Sequence, residues 1–189
     1  MKFETGFFFL DMKQNWANIL LVAGSGQNSG KTTFICQLVE KLSGHKPITV
    51  KVSSHFYDPT PGLKILAEDT NFQLFEETNR ETNKDSSLYL QNGAHRSFYI
   101  QAKDKQLELA FMALLPYLEA NEPIIIESAA MHHVIDAGLF VFVLRENAEQ
   151  KPSTEINKKV ADLIVYSDGE RYSPTVDHLI FENEWKLKL

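Results

Sequence analysis

An apolar run, Ile19, Leu20, Leu21, Val22 and Ala23, leads without a break into Gly24, Ser25, Gly26, Gln27, Asn28, Ser29, Gly30, Lys31, Thr32 and Thr33. Helical spacing begins at once. Phe34, Ile35, Leu38, Val39 and Leu42 fall at i, i+1, i+4, i+5 and i+8, one face of a 3.6-residue period. The order of strand, glycine-rich turn, Lys-Thr and amphipathic helix is that of a phosphate-binding P-loop. In such a loop backbone N–H groups cradle a polyphosphate, the lysine reaches its outer phosphates and the Ser/Thr hydroxyl serves magnesium. The N-terminal end of the helix, where unpaired N–H groups collect, then faces the anion.

This order predicts an α/β chain: a P-loop NTPase three-layer fold with a mostly parallel central sheet. Ser25, Gly26, Gln27, Asn28, Ser29, Gly30, Lys31, Thr32 and Thr33 are the expected nucleotide contacts. One position departs from the pattern. Five residues before Gly30 the rule calls for glycine and the chain has Ser25. Gly24 and Gly26 flank it and are expected to supply the freedom of positive φ that the turn requires.

The chain of 189 residues suits one domain over 1–189, with 1–16 as an N-terminal extension. A formal net charge of −6, with no run of Lys or Arg, argues against nucleic acid as the main partner. Phe7, Phe8, Phe9 and Leu10 form too short an apolar run for a secretory signal, and no later run approaches a membrane span, so a cytoplasmic protein without membrane contact is expected. Cys36 is the only cysteine, which excludes an intrachain disulfide and a cysteine metal cluster within one chain, and its place on the first helix suggests a buried thiol.

Further along, Ile48, Val50 and Val52 alternate with polar residues as a strand ending near Ser53, and 54–62 carries loop chemistry in Asp58, Pro59, Pro61 and Gly62. Residues 63–84 leave open a short strand or an irregular excursion. A short helix follows Asp85 and ends at Asn92-Gly93, then a strand at 97–102. Asp104 is placed to cap a helix carrying Leu107, Phe111, Leu114, Leu115 and Leu118 on one face. Strands are expected at 123–127, 139–144 and 163–166, and the tail 176–189 is an edge strand or a docked segment. Strands alternating with helices imply βαβ units, whose ligands bind beyond the carboxyl ends of the strands, where Gly24, Ser53, Glu127 and Ser167 emerge.

Magnesium on a triphosphate takes a hydroxyl, one or two carboxylates and phosphate oxygens. Thr32 supplies the hydroxyl and Glu127, ending a strand, stands where such proteins keep a metal-side carboxylate; the alternative for Glu127 is a solvated strand-end charge. Asp85 and Asp58 compete for a further metal-side role, with helix capping as the plain alternative for Asp85. His55, just beyond the second strand, is a candidate ligand or phosphate contact. Asp168 is either an acceptor for the N1–H and N2–H₂ donors of guanine or part of an Asp-Gly turn. His132-His133 reads as a loop pair without metal, since no third ligand is apparent. Only Arg80, Arg96, Arg145 and Arg171 occur, widely spread, which argues against the arginine-rich lid of a nucleoside monophosphate kinase. Position 26 also lacks the signature lysine of chromosome-partitioning ATPases.

Together these residues resemble the MobB family, the molybdopterin-guanine dinucleotide biosynthesis protein B. The resemblance rests on Ser25 through Thr33, on the stretch from Lys51 to Asp58, on Lys84, Asp85, Ser86 and Ser87 followed by Asn92, Gly93 and Ala94, on Glu127, and on the late stretch from Ala161 to Gly169. It implies GTP binding with Mg²⁺, slow hydrolysis, a homodimer, and an accessory role, with a cofactor-biosynthesis partner, when a nucleotide is attached to molybdopterin. By position, Lys31 holds phosphates, Thr32 and Glu127 serve magnesium, and Asp85 lies near the metal or its waters, so Lys31, Asp85 and Glu127 are the expected catalytic groups. The chain departs from the family in a segment after the second strand that is poorer in histidine, and in Ser128-Ala129 where a glycine usually follows the carboxylate. It also looks similar to dethiobiotin synthetase, an ATP-dependent ligase, through Asp85 and the Glu127, Ser128, Ala129, Ala130 stretch, though without that family's glycines. A nucleotide-dependent interaction module that needs no turnover is the third expectation. Scarcity of arginine near the loop predicts slow turnover without a partner.

Overall fold

The computed structural model describes residues 15–145 and 152–188; Phe7 to Leu10 lie outside them. The elements in chain order are β1 (Asn15–Gly24), α1 (Lys31–Lys41), β2 (Ile48–Ser53), β3 (Leu63–Asp69), β4 (Phe72–Glu77), α2 (Asp85–Gln91), β5 (Arg96–Ala102), α3 (Leu107–Leu114), β6 (Ile124–Glu127), β7 (Asp136–Arg145), α4 (Pro152–Val160), β8 (Leu163–Ser167), β9 (Tyr172–Ser173), β10 (Leu179–Phe181) and β11 (Trp185–Leu187). Strands β1 to β9 form one sheet in the order β3-β4-β5-β2-β6-β1-β7-β8-β9. From β5 to β8 across that order every pairing is parallel, while β3, β4 and β9 join antiparallel. The α/β class and the mostly parallel central sheet are as expected.

Period-two alternation divides the core between the faces of the sheet. Ile19, Leu21 and Ala23 of β1 face a layer with Leu107, Ala110, Phe111 and Leu114 of α3. Leu20 and Val22 face the opposite layer, with Phe34, Ile35, Leu38 and Val39 of α1 and Tyr89 and Leu90 of α2. Both faces of the central strands are therefore apolar, as parallel strands covered by helices require.

Several elements differ from the sequence expectation. Asn15 and Trp16 belong to β1 rather than to an N-terminal extension, and Trp16 packs edge-on against Phe111 with ring centroids 5.4 Å apart. The early part of β1 meets β7 across a register shift, where a Cβ on Gly138 would stand 2.3 Å from the Ala17 carbonyl oxygen, so only glycine fits that approach. The undecided stretch 63–84 contains the β3–β4 hairpin, anchored by buried Phe72, Leu74 and Phe75. Asp104 opens a 3₁₀ turn and caps no helix through its side chain; Gln106 precedes α3. α3 is correspondingly shorter, and Pro116 lies in the 3₁₀ turn that continues it. Helix α4 was not anticipated, because its buried positions include the polar Thr154 and Asn157 while Ile156 and Val160 are exposed, the reverse of an apolar stripe. The tail is a separate antiparallel pair, β10 with β11, docked by the Trp185 indole N–H to the Asn18 carbonyl at 2.9 Å. Among the described residues no helix is long and apolar enough to cross a membrane.

Candidate functional site

β1 occupies the centre of the sheet, flanked by β6 and β7, and its chain crosses over through α1 to β2 on the far side of β6. That topology brings the carboxyl ends of β1, β2 and β6 together, with Glu127 in register with Val22 on one side and Lys51 on the other.

The loop at 25–30 is held from several directions. The Ser25 N–H donates to the Val143 carbonyl at 3.0 Å, and the Ser25 hydroxyl accepts the Arg145 N–H at 3.1 Å. Lys31 folds back over the loop, its ammonium donating to the Gly26 carbonyl at 2.8 Å and the Ser29 hydroxyl at 3.1 Å. Burial, and the charge of Lys51, outweigh the attraction of Glu127 and Asp85 and hold the Lys31 pKa below the ordinary lysine value. The Tyr172 hydroxyl donates to the Gly30 carbonyl at 2.8 Å.

The expectation about glycine at the departing position is corrected here. Positive φ within the loop falls at Asn28 (57°) and Gly30 (92°), and not at Gly24, Ser25 or Gly26. Serine at position 25 is therefore unstrained, and its buried side chain contributes a hydrogen bond that glycine lacks. Gly24 is needed for a different reason: a Cβ there would stand 2.4 Å from the Ser29 hydroxyl oxygen and 2.8 Å from the Lys31 side chain.

Opposite the loop, four side chains interlock. The Thr32 hydroxyl donates to Asp85 Oδ1 at 3.0 Å. Lys51 Nζ lies 2.6 Å from Asp85 Oδ2 and 2.7 Å from Glu127 Oε1. The Tyr89 hydroxyl donates to Glu127 Oε2. Glu127 is only 3% exposed, so it is no solvated strand-end charge, and Asp85 begins α2 without capping it. Burial pulls the Lys51 pKa down, but Glu127 and Asp85 outweigh it and leave the ammonium above its ordinary value. Burial pushes the Tyr89 phenol well up, and the two carboxylates add to it.

Both halves line one cavity of about 770 Å³, with Gly26, Asn28, Lys31 and Thr32 on the loop side and Lys51, Asp85 and Glu127 across from them. Gln27, His55 and Asp58 also line it, His55 and Asp58 from the exposed segment beyond β2. Ser29 is buried beneath Lys31, and Thr33 is exposed on α1 outside the lining. Asp168 also lies outside it. Its fully exposed carboxylate accepts the N–H groups of Arg171 and Glu170, which hold its pKa below the usual range, the geometry of the Asp-Gly turn. His132 and His133 sit in a 3₁₀ turn with ring centroids 3.8 Å apart, and among the described residues no group of three or more His, Cys, Asp and Glu side chains is placed to hold a metal.

Lys51 and Tyr89 were missed as site residues. Lys51 carried no signal of its own, since it takes one of the polar places in the alternation of β2, and Tyr89 had none, since its spacing is that of any core aromatic. Arginine is nonetheless present at the loop, since the Arg145 guanidinium donates to the Asn28 carbonyl, so slow turnover no longer follows from a scarcity of arginine there. Arg96, by contrast, is bound to Glu76 and the Tyr117 carbonyl.

A magnesium ion that keeps some of its waters and takes oxygens from a triphosphate needs few protein ligands. The Thr32 hydroxyl and the two carboxylates are all hard oxygen donors on one wall of the cavity and fit that need. The chain matches no protein-family model, no curated protein and no solved structure, so the resemblances rest on the quoted residues alone.

Proposed function

We propose that the chain is a P-loop nucleoside triphosphate-binding protein of the three-layer α/β type, that it prefers GTP, and that it hydrolyses nucleotide slowly with Mg²⁺. The observation that carries this reading is the convergence on one cavity of Lys31 and Thr32 from the loop with Asp85 and Glu127 from distant elements. The loop supplies phosphate donors, and the wall across it supplies oxygens suited to a hard cation. In this reading Lys31 holds the outer phosphates, and Thr32, Asp85 and Glu127 serve the metal, whose chemistry is to neutralise charge on the transferred phosphoryl group. A cytoplasmic homodimer acting with a cofactor-biosynthesis partner, as the likeness to MobB implies, is part of the same proposal.

Calorimetric titration with GTP and ATP, each with and without Mg²⁺, tests it. Binding of GTP ahead of ATP, tightened by Mg²⁺, is the expected result; binding of neither overturns it. Steady-state hydrolysis by the purified protein is expected, from the likeness to MobB, well below about 10 s⁻¹, an ordinary enzyme's turnover. Fast turnover without a partner contradicts the accessory role.

A second cavity favours the small-molecule ligase as the alternative. It measures about 360 Å³, lies at the ends of β2, β5 and β6, and shares Val52, Ser54, Ser128 and Ala129 with the larger one. A small acceptor held there would sit beside the phosphate-side groups. Binding of diaminopelargonic acid rather than molybdopterin would select the ligase; binding of neither, with a partner captured only when nucleotide is present, would select the interaction module.

A further inference from the structure

All four oxygens of the Asp85 and Glu127 carboxylates are engaged: one of each by Lys51, the second of Asp85 by Thr32 and the second of Glu127 by Tyr89. The single ammonium at 2.6 and 2.7 Å is thus the cation common to both acids. Two negative charges side by side in a half-buried wall repel each other unless a cation joins them. A magnesium ion binding these oxygens, directly or through its waters, needs the volume and the lone pairs that Lys51 holds. Lys51 is the member able to leave, since its charge sits on a flexible four-carbon stem while Glu127 is fixed at the end of a central strand.

We propose that Lys51 is a resident cation that stands in for Mg²⁺ in the nucleotide-free protein and exchanges with it when a metal-bearing triphosphate enters. The proposal rests on the triphosphate reading and adds an order of events to it. Free protein does not take up the metal, Mg²⁺ arrives on the nucleotide, and its arrival turns the Lys51 ammonium out into the cavity toward the phosphates. Each cation excludes the other, because both need the same two oxygens.

The test begins with nucleotide-free protein and Mn²⁺ as the probe, titrated by electron paramagnetic resonance of the free ion. Lys51→Met is expected to bind one Mn²⁺ at least tenfold more tightly than the wild type, and Lys51→Met/Glu127→Gln is expected to lose the gain. Equal Mn²⁺ affinity in the wild type and Lys51→Met overturns the proposal, as does a gain that survives Glu127→Gln. Circular dichroism checks that each variant folds. A second measurement uses the wild type alone, following the Lys51 ammonium by ¹H–¹⁵N correlation. Its protected signal is expected in the free protein and is expected to vanish when Mg²⁺ joins a non-hydrolysable triphosphate analogue; a signal indifferent to Mg²⁺ overturns the exchange. Nucleotide binding with and without Mg²⁺, measured on the same samples, separates the two ideas: if it is absent under both conditions the triphosphate reading fails, whereas the Mn²⁺ result on nucleotide-free protein judges the resident cation by itself.

Discussion

Thr32, in the first turn of α1, donates its hydroxyl to Asp85, the first residue of α2, at 3.0 Å. The bond joins the start of the helix after the glycine-rich loop to a residue 53 positions away, and it makes one wall out of two elements that have no local reason to meet. A hydroxyl that gives its proton to a carboxylate keeps its lone pairs free for a cation.

If that wall serves a metal, Glu127→Gln should leave metal-free nucleotide binding nearly unchanged and remove most of the tightening that Mg²⁺ confers. Thr32→Ala should behave alike. Calorimetry in the presence and absence of Mg²⁺ checks this, and an undiminished Mg²⁺ effect in both variants would separate these residues from the metal.

Lys31→Ala should weaken triphosphate affinity at least tenfold. A charge-assisted contact to phosphate contributes about 1.5–3 kcal/mol, and no other residue in the loop carries a positive charge. An unchanged dissociation constant for both GTP and ATP would remove the phosphate-binding role.

Gly24 and Gly26 should respond differently to alanine although only one residue separates them. At Gly24 the added carbon meets Ser29 and Lys31 at 2.4 and 2.8 Å; at Gly26 nothing lies within 4 Å. Denaturant unfolding should show Gly24→Ala destabilised by about 1–3 kcal/mol, as in other overpacked sites, with Gly26→Ala within about 0.5 kcal/mol of the wild type. Equal stability of the two variants would contradict the packing of the loop.

Cys36 offers a reporter of charge in the wall. Burial, reinforced by Asp85 and Glu127, pushes its thiol up to about 11. Because the thiolate is the reactive form, alkylation by iodoacetamide should be slow at neutral pH and rise with a midpoint near that value, and Glu127→Gln should lower the midpoint. Cys36 is half-buried rather than buried as the sequence suggested, and a midpoint near 8.5, the ordinary value for a free thiol, would argue against its half-buried, acid-flanked position.

The positions of Gly24 and Glu127 at strand ends, and of Lys31 and Thr32 at the start of α1, were legible because period-two and 3.6-residue patterns mark strands and helices directly, and a parallel sheet sends those strand ends to one side. The Asp85 contact was not, since an aspartate at a helix start fits a cap equally well and only tertiary packing separates the two. Lys51 and Tyr89 were invisible for a related reason: their partners lie on other strands and helices, and spacing along one element carries no record of them. Helix α4 escaped notice because its buried face is polar, and Ser25 was misjudged because the rule about glycine was applied to a residue whose backbone has no need of it.

The Tyr172 hydroxyl bond to the Gly30 carbonyl, with the Tyr172 ring edge-on to Phe34 at 5.2 Å between centroids, sets a boundary on how far the chain can be shortened. Tyr172 lies on β9, the last and shortest strand of the main sheet, beyond every residue that faces the cavity. A fragment ending after β8 would keep all of those residues and still leave the glycine-rich loop without one of its braces. The smallest unit that retains the loop's shape therefore extends past Tyr172, so the sheet's far edge is as much a part of the loop's architecture as the strand that feeds it.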